Sequence, residues 1–133
     1  MPTILIVENH PELVMGLSRN LHRAGYDVIS ASGAKEAIAA VDRVWPSVII
    51  LDVHMPGGGG FAVAEWLKAS PTTSAIPVII LSGDSDPQID RRAAALGVAV
   101  VLRKPCETGV LLQHVRDLLG GPVAKQEDTD YGM

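Results

Sequence analysis

Two kinds of apolar pattern alternate along this chain. Continuous apolar runs occur at Ile4-Leu5-Ile6-Val7, Val48-Ile49-Ile50-Leu51, Val78-Ile79-Ile80-Leu81 (entered through Pro77) and Val98-Ala99-Val100-Val101-Leu102. Each is too short for a helical repeat and rich in β-branched residues. Unbroken rather than alternating runs predict strands covered on both faces. A weaker run, Asp27-Val28-Ile29-Ser30-Ala31, predicts a strand at a sheet edge. Between the runs, apolar residues recur at helical spacing: Leu13, Leu17 and Leu21; Ala34, Ala37, Ile38 and Val41; Phe61, Ala64 and Leu67; Ile89, Ala93 and Leu96; Leu111, Val115 and Leu118. Punctuation agrees with these spans. Pro11 suits a first helical turn, Gly25 and Gly97 suit helix ends, and Pro46 and Ser70-Pro71 follow helices. Asp86-Pro87 reads as an N-cap with proline at the first helical position. Strand and helix alternate five times, which predicts an α/β domain over residues 1–120 with a parallel sheet between two helical layers. The polar, acidic remainder, 121–133, is expected to be a disordered tail or a linker.

The polar residues collect where the apolar runs stop. The first run ends on Glu8-Asn9, the third on Asp52, the fourth on Ser82 and the fifth on Lys104. In a parallel sheet these ends share one edge, where α/β proteins place ligand chemistry. Alone, Asp52 would fit a turn or a helix cap equally well. Five such residues converging on one crevice favour a site. The set suits phosphoryl transfer to a carboxylate: an aspartate oxygen as nucleophile, a divalent cation against the charge repulsion, a lysine for one phosphoryl oxygen and a hydroxyl for another. Oxygen ligands with few carboxylates favour magnesium.

Composition narrows the classes. With 4% aromatic residues the core must be aliphatic, and a net charge of −4 with no basic stripe argues against nucleic-acid binding through this domain. No apolar run reaches membrane-spanning length, and the first residues lack the basic flank of a signal peptide. The single cysteine, Cys106, excludes an internal disulfide, fits a reducing and therefore cytoplasmic setting, and is expected to be a small buried hydrophobe. His10, His22 and His114 show no metal-ligand spacing and are expected to be surface residues. Trp45 and Trp66 are expected to pack on helices or lie at the surface. The run Gly57-Gly58-Gly59-Gly60 lacks the lysine and hydroxyl of a phosphate-binding loop, so a flexible loop with Gly60 starting a helix is expected. A flavin protein would need a phosphate loop after the first strand, and Glu8-Asn9-His10-Pro11 is not one.

From Thr3 to Leu119 the chain resembles a bacterial response-regulator receiver domain. The resemblance rests on Ile4-Leu5-Ile6-Val7-Glu8, Leu51-Asp52-Val53-His54-Met55-Pro56 with Gly60, Leu81-Ser82-Gly83 and Lys104-Pro105, in matching order and spacing. It implies a flavodoxin-like, doubly wound fold with strand order 2-1-3-4-5. It also implies that Asp52 accepts a phosphoryl group from a sensor histidine kinase or phosphotransfer protein, and that Ser82 and Lys104 contact that group. Magnesium would be held by Glu8, Asn9, Asp52 and the His54 backbone carbonyl. The Lys104–Pro105 bond would be cis, and His54 and Asp84 would modulate the lifetime of the acyl phosphate. An output protein and a homodimer through the fourth helix, fifth strand and fifth helix follow from the same resemblance. The chain would be a switch and not a conventional enzyme.

Two positions depart from the family pattern. Asn9 stands where the family has a metal-ligating aspartate, which predicts weak magnesium binding. It also opens the alternative of a pseudo-receiver that no longer takes phosphate. Val101 stands where the family often has an aromatic ring that turns inward on activation. Valine has no ring and little rotamer freedom.

Overall fold

The structure is a computed structural model that describes residues 1–55 and 59–120. Pro56, Gly57, Gly58 and the tail over 121–133 lie outside the described residues. The elements in order are β1 (Thr3–Val7), α1 (Pro11–Arg23), β2 (Asp27–Ala31), α2 (Ala34–Val44), β3 (Val48–Asp52), α3 (Gly59–Lys68), β4 (Val78–Ser82), α4 (Pro87–Ala95), β5 (Val100–Arg103) and α5 (Thr108–Leu118). A short 3-10 turn at Thr73–Ala75 follows α3, and the patterns did not announce it. The buried Thr73 hydroxyl donates to the Leu67 carbonyl and caps the helix end by this turn.

All five strands are parallel in the order β2-β1-β3-β4-β5. The unbroken apolar runs are explained by burial on both faces. Ile4 and Ile6 of β1, Ile50 of β3, and Ile79 and Leu81 of β4 pack with Leu21 of α1 and Leu111 and Val115 of α5. Leu5, Val7, Ile49, Leu51 and Ile80 point the other way and pack with residues of α2, α3 and α4. Alternate residues of one run thus serve two separate cores. Burying each large aliphatic side chain contributes about 1.5–3 kcal/mol, so β1, β3 and β4 anchor the sheet. Among the described residues no helix is long and apolar enough to cross a membrane.

The fifth strand differs from expectation. It covers Val100–Arg103 and not Val98–Leu102. Val98 instead closes α4: its N–H donates to Ala93 O while Gly97, at φ 72°, donates to Ala94 O. That double bond after a left-handed glycine is a Schellman closure, and it uses Val98 before a strand can start. The same closure ends α1 at Gly25 and Tyr26. At the other end of α4, the Asp86 carboxylate accepts the Gln88 N–H at 2.9 Å, as an N-cap should. Asp86→Ala is therefore expected to cost about 1 kcal/mol in urea denaturation, with no change in the slope of the transition.

Candidate functional site

The sheet brings four loops to its carboxyl edge. Beyond β1, the Glu8 N–H still donates to Ala31 O at 3.0 Å, which continues the strand line and keeps Glu8 buried at 3% exposure. Beyond β3, the Val53 N–H donates to Leu81 O, holding Asp52 between its neighbours at 2% exposure. Beyond β5, the Lys104 N–H donates to Ser82 O at 2.8 Å, and the Lys104–Pro105 peptide bond is cis, as expected.

Three of the predicted residues meet directly. Lys104 Nζ donates to Glu8 Oε1 at 2.9 Å and lies 3.3 Å from Asp52 Oδ1. Asp52 Oδ1 also accepts the His54 N–H at 3.2 Å. Asp52 Oδ2 accepts no hydrogen bond from the described residues, although the residue is buried. Burial pushes the Glu8 carboxyl up, but hydrogen bonds from Lys104 and His10 and the Lys104 charge outweigh it, so the group lies below the ordinary carboxylate range. Burial likewise pushes Lys104 down. The Glu8 hydrogen bond and the Asp52 and Glu8 charges outweigh it, and the ammonium is held above its ordinary value. Both groups are thus charged at neutral pH.

The remaining predicted residues sit at the margins. Ser82 is fully buried, and its hydroxyl is engaged in its own loop, donating to Asp84 O at 3.1 Å and accepting the Asp84 N–H at 3.0 Å. His54 Nε2 and Asp84 Oδ2 are 3.8 Å apart and both side chains are at least half exposed, so this pair is loose. Asn9 is exposed and donates its backbone N–H to Glu8 Oε2 at 3.1 Å. Val101 is partly buried against the core that holds α4. Cys106 is half-buried, a correction to the buried hydrophobe expected. It lies in an apolar groove of about 360 Å³ with Leu13, Leu17 and Pro105, and burial pushes its thiol up.

His10 lies at the surface, as expected, and its ring is exposed. Its Nδ1 nevertheless lies 2.7 Å from Glu8 Oε2, and a ligand atom each of His10, Glu8 and Asp52 can be chosen with all three within 4.8 Å of one another, a contact the spacing does not announce. A contact across two residues at a turn leaves no spacing signature. The only trace is its place just before Pro11, where a capping residue type would be ordinary.

A buried carboxylate with one oxygen unpartnered among the described residues, a second carboxylate and a lysine can act as nucleophile, cation ligand and phosphoryl clamp. A family model described as the response regulator receiver domain matches residues 4–116. The chain belongs to the response-regulator receiver family. Protein PilH of Pseudomonas aeruginosa is 32% identical over 122 residues, covering 91% of this chain and 100% of PilH. The DNA-binding dual master transcriptional regulator RpaA of Synechocystis is 34% identical over 119 residues, and there the match spans 90% of this chain but 49% of the regulator. Among solved structures, the signal receiver domain of a signal transduction histidine kinase from Syntrophus aciditrophicus is 34% identical with TM-score 0.84, covering 100% of both chains. The chemotaxis protein CheY4 of Vibrio cholerae is 27% identical with TM-score 0.83, covering 89% of this chain and 98% of that one. Receiver domains work in two-component signalling with histidine kinases or phosphotransfer proteins and with output domains. Receiver domains are phosphoacceptor switches and are generally not enzymes themselves.

Proposed function

We propose that Asp52 takes a phosphoryl group from a phosphohistidine on a sensor kinase or phosphotransfer protein. Its carboxylate oxygen attacks phosphorus, a P–O bond forms, the P–N bond breaks, and the leaving imidazole recovers a proton from solvent. The observation that carries this reading is the meeting of Lys104 with both Glu8 and Asp52, at 2.9 and 3.3 Å. Lys104 is charged and close enough to turn from these carboxylates to a phosphoryl oxygen. Ser82 would have to leave its two bonds to Asp84 to reach the same group. The cost of that exchange is small, because the hydroxyl trades one set of partners for another.

The site also fits a divalent cation. Glu8 and Asp52 supply two buried carboxylates, and Asp52 Oδ2 is a buried acceptor with no partner among the described residues. Asn9 and the His54 carbonyl would complete the oxygen set. When bound, a cation offsets the repulsion between Asp52 and the incoming phosphate. With Asn9 neutral, magnesium is expected to bind weakly. Asn9→Asp is expected to tighten magnesium by about tenfold or more, since one added charge beside a dication contributes a kcal/mol or more. Isothermal titration calorimetry checks this, and tight binding in the parent with no gain in the variant would refute it.

The output is read from α4, β5 and α5, as protein contacts or a homodimer through that face. With Val101 lacking a ring, the change is carried by backbone and loop shifts. Arg103 of β5 is paired with Asp90 of α4 at 2.8 Å, so a shift of one element is felt by the other. A cytoplasmic setting is consistent with the free thiol. The function is tested by incubating the protein with acetyl phosphate and magnesium and measuring intact mass. A phosphoryl increment absent from Asp52→Asn is expected. No increment at high magnesium would leave the pseudo-receiver as the better description.

A further inference from the structure

We propose that His10 is itself a metal ligand, and that this centre is a mixed carboxylate–imidazole site selective for a first-row transition dication over magnesium. The proposal rests on the reading of the site as a cation-dependent phosphoacceptor and names the class of cation it takes.

The geometry is close to a ligand set. One ring nitrogen of His10 and one carboxylate oxygen each of Glu8 and Asp52 lie within 4.8 Å of one another. Ligands on one such ion stand about 2.0–2.2 Å from it, and so at most about 4.4 Å apart, which leaves only a small contraction to be made. The two carboxylates are 3% and 2% exposed, and Asp52 Oδ2 is a buried acceptor without a partner among the described residues. His10 is free to make the contraction, because its side chain is 68% exposed while its Nδ1 already faces Glu8 Oε2 at 2.7 Å. It also occupies the N-cap of α1 without capping it: no side-chain bond reaches the helix N–H groups. At a position that favours serine, threonine, asparagine or aspartate, the ring is turned back to the site instead.

Ligand chemistry then sets the preference. Magnesium depends on oxygen ligands and charge, and here one of the expected carboxylates is the neutral Asn9. An imidazole nitrogen adds little for magnesium but favours manganese and, increasingly, the later metals of the series. The exchange of a carboxylate for asparagine and the arrival of His10 act in the same direction. The plainer role for His10 is to orient Glu8 by a hydrogen bond, which would serve every cation alike. That difference makes the two roles separable.

The test uses the full chain without a histidine tag and manganese alone as the probe. Free manganese is followed by its EPR signal, with magnesium as competitor, and the bound ion is examined for nitrogen-14 modulation by pulsed EPR. The parent is expected to bind manganese about tenfold or more tighter than magnesium and to show imidazole nitrogen on the ion. His10→Ala is expected to lose the nitrogen signal and about tenfold in manganese affinity, with magnesium affinity changed less than about twofold. Absence of saturable manganese binding, absence of nitrogen, nitrogen that persists in His10→Ala, or an equal loss for both cations would each overturn the proposal. Intact-mass phosphorylation of the same samples keeps the two readings apart. Phosphorylation with magnesium and no nitrogen signal defeats only the His10 ligand, whereas nitrogen ligation without phosphorylation of Asp52 defeats only the phosphoacceptor.

Discussion

Lys104→Ala is expected to slow formation of the Asp52 acyl phosphate by about 10²–10³-fold, the usual effect of removing one preorganised donor from a developing charge. The expectation follows from where Nζ sits. It contacts Glu8 and Asp52 together, so it is placed before any phosphate arrives and needs little reorganisation. Single-turnover labelling with acetyl phosphate at saturating cation isolates this loss from any change in metal affinity. A rate within threefold of the parent would remove Lys104 from the chemistry. The same variant has a stability signature with a definite sign. Glu8 is held below its ordinary pKa near 4.5, so the stability it gains from Lys104 is present above that pH and is lost as pH falls through the lowered value. Lys104 is held above its ordinary 10.5, so its contribution is present below that pH and is lost only as pH rises through the raised value. The stability difference between parent and Lys104→Ala is therefore expected to be flat between about pH 5 and 10 and to close under acid. Urea denaturation at pH 3.5 and pH 7 measures it, and an unchanged difference at pH 3.5 would show that the pair contributes nothing to folding.

The parts of the site that the sequence discloses are those fixed by strand geometry. Glu8, Asp52 and Lys104 each follow a continuous apolar run, and parallel strands cannot end those runs anywhere but on one edge. The sheet order was legible only through the family resemblance, because periodicity says which residues are buried and nothing about which strands are neighbours. What escaped was set by loops. Val98 is as apolar as a strand residue, but a helix closure claimed it first. The bonds of Ser82 to Asp84, and the turn that directs His10 to Glu8, depend on backbone angles that no side-chain pattern encodes. The departures at Asn9 and Val101 were visible as residue types. Their consequences become arguable only with His10 beside the carboxylates and Val101 packed on the α4 side.

Gly60→Ala is expected to be a highly damaging small substitution near the site. A Cβ at position 60 would stand 2.3 Å from Asp52 O and 3.0 Å from Asp52 C, both backbone atoms of a fully buried strand. No rotamer change relieves that overlap, because neither partner is a flexible side chain. Either α3 or the end of β3 must move, and Gly60 N–H is also bonded to Val53 O at 3.2 Å. Overpacking of this kind costs about 1–3 kcal/mol or more, which lowers Tm by roughly 5–15 °C in a domain of this size. The displacement also carries Asp52 with it. A shift approaching 1 Å in a reacting group costs about 10²-fold in rate, so phosphorylation is expected to fall far more than the loss of folded protein explains. Gly16→Ala separates this clash from any general effect of replacing glycine. Gly16 lies inside α1 with nothing within 4 Å of its would-be Cβ. There the added methyl should stabilise by about 0.5–1 kcal/mol through helix propensity alone. Thermal melts and acetyl phosphate labelling of both variants check the pair. Parent-like stability in Gly60→Ala would show that α3 can withdraw from β3 freely, and the fixed placement of Asp52 argued from this contact would then be wrong.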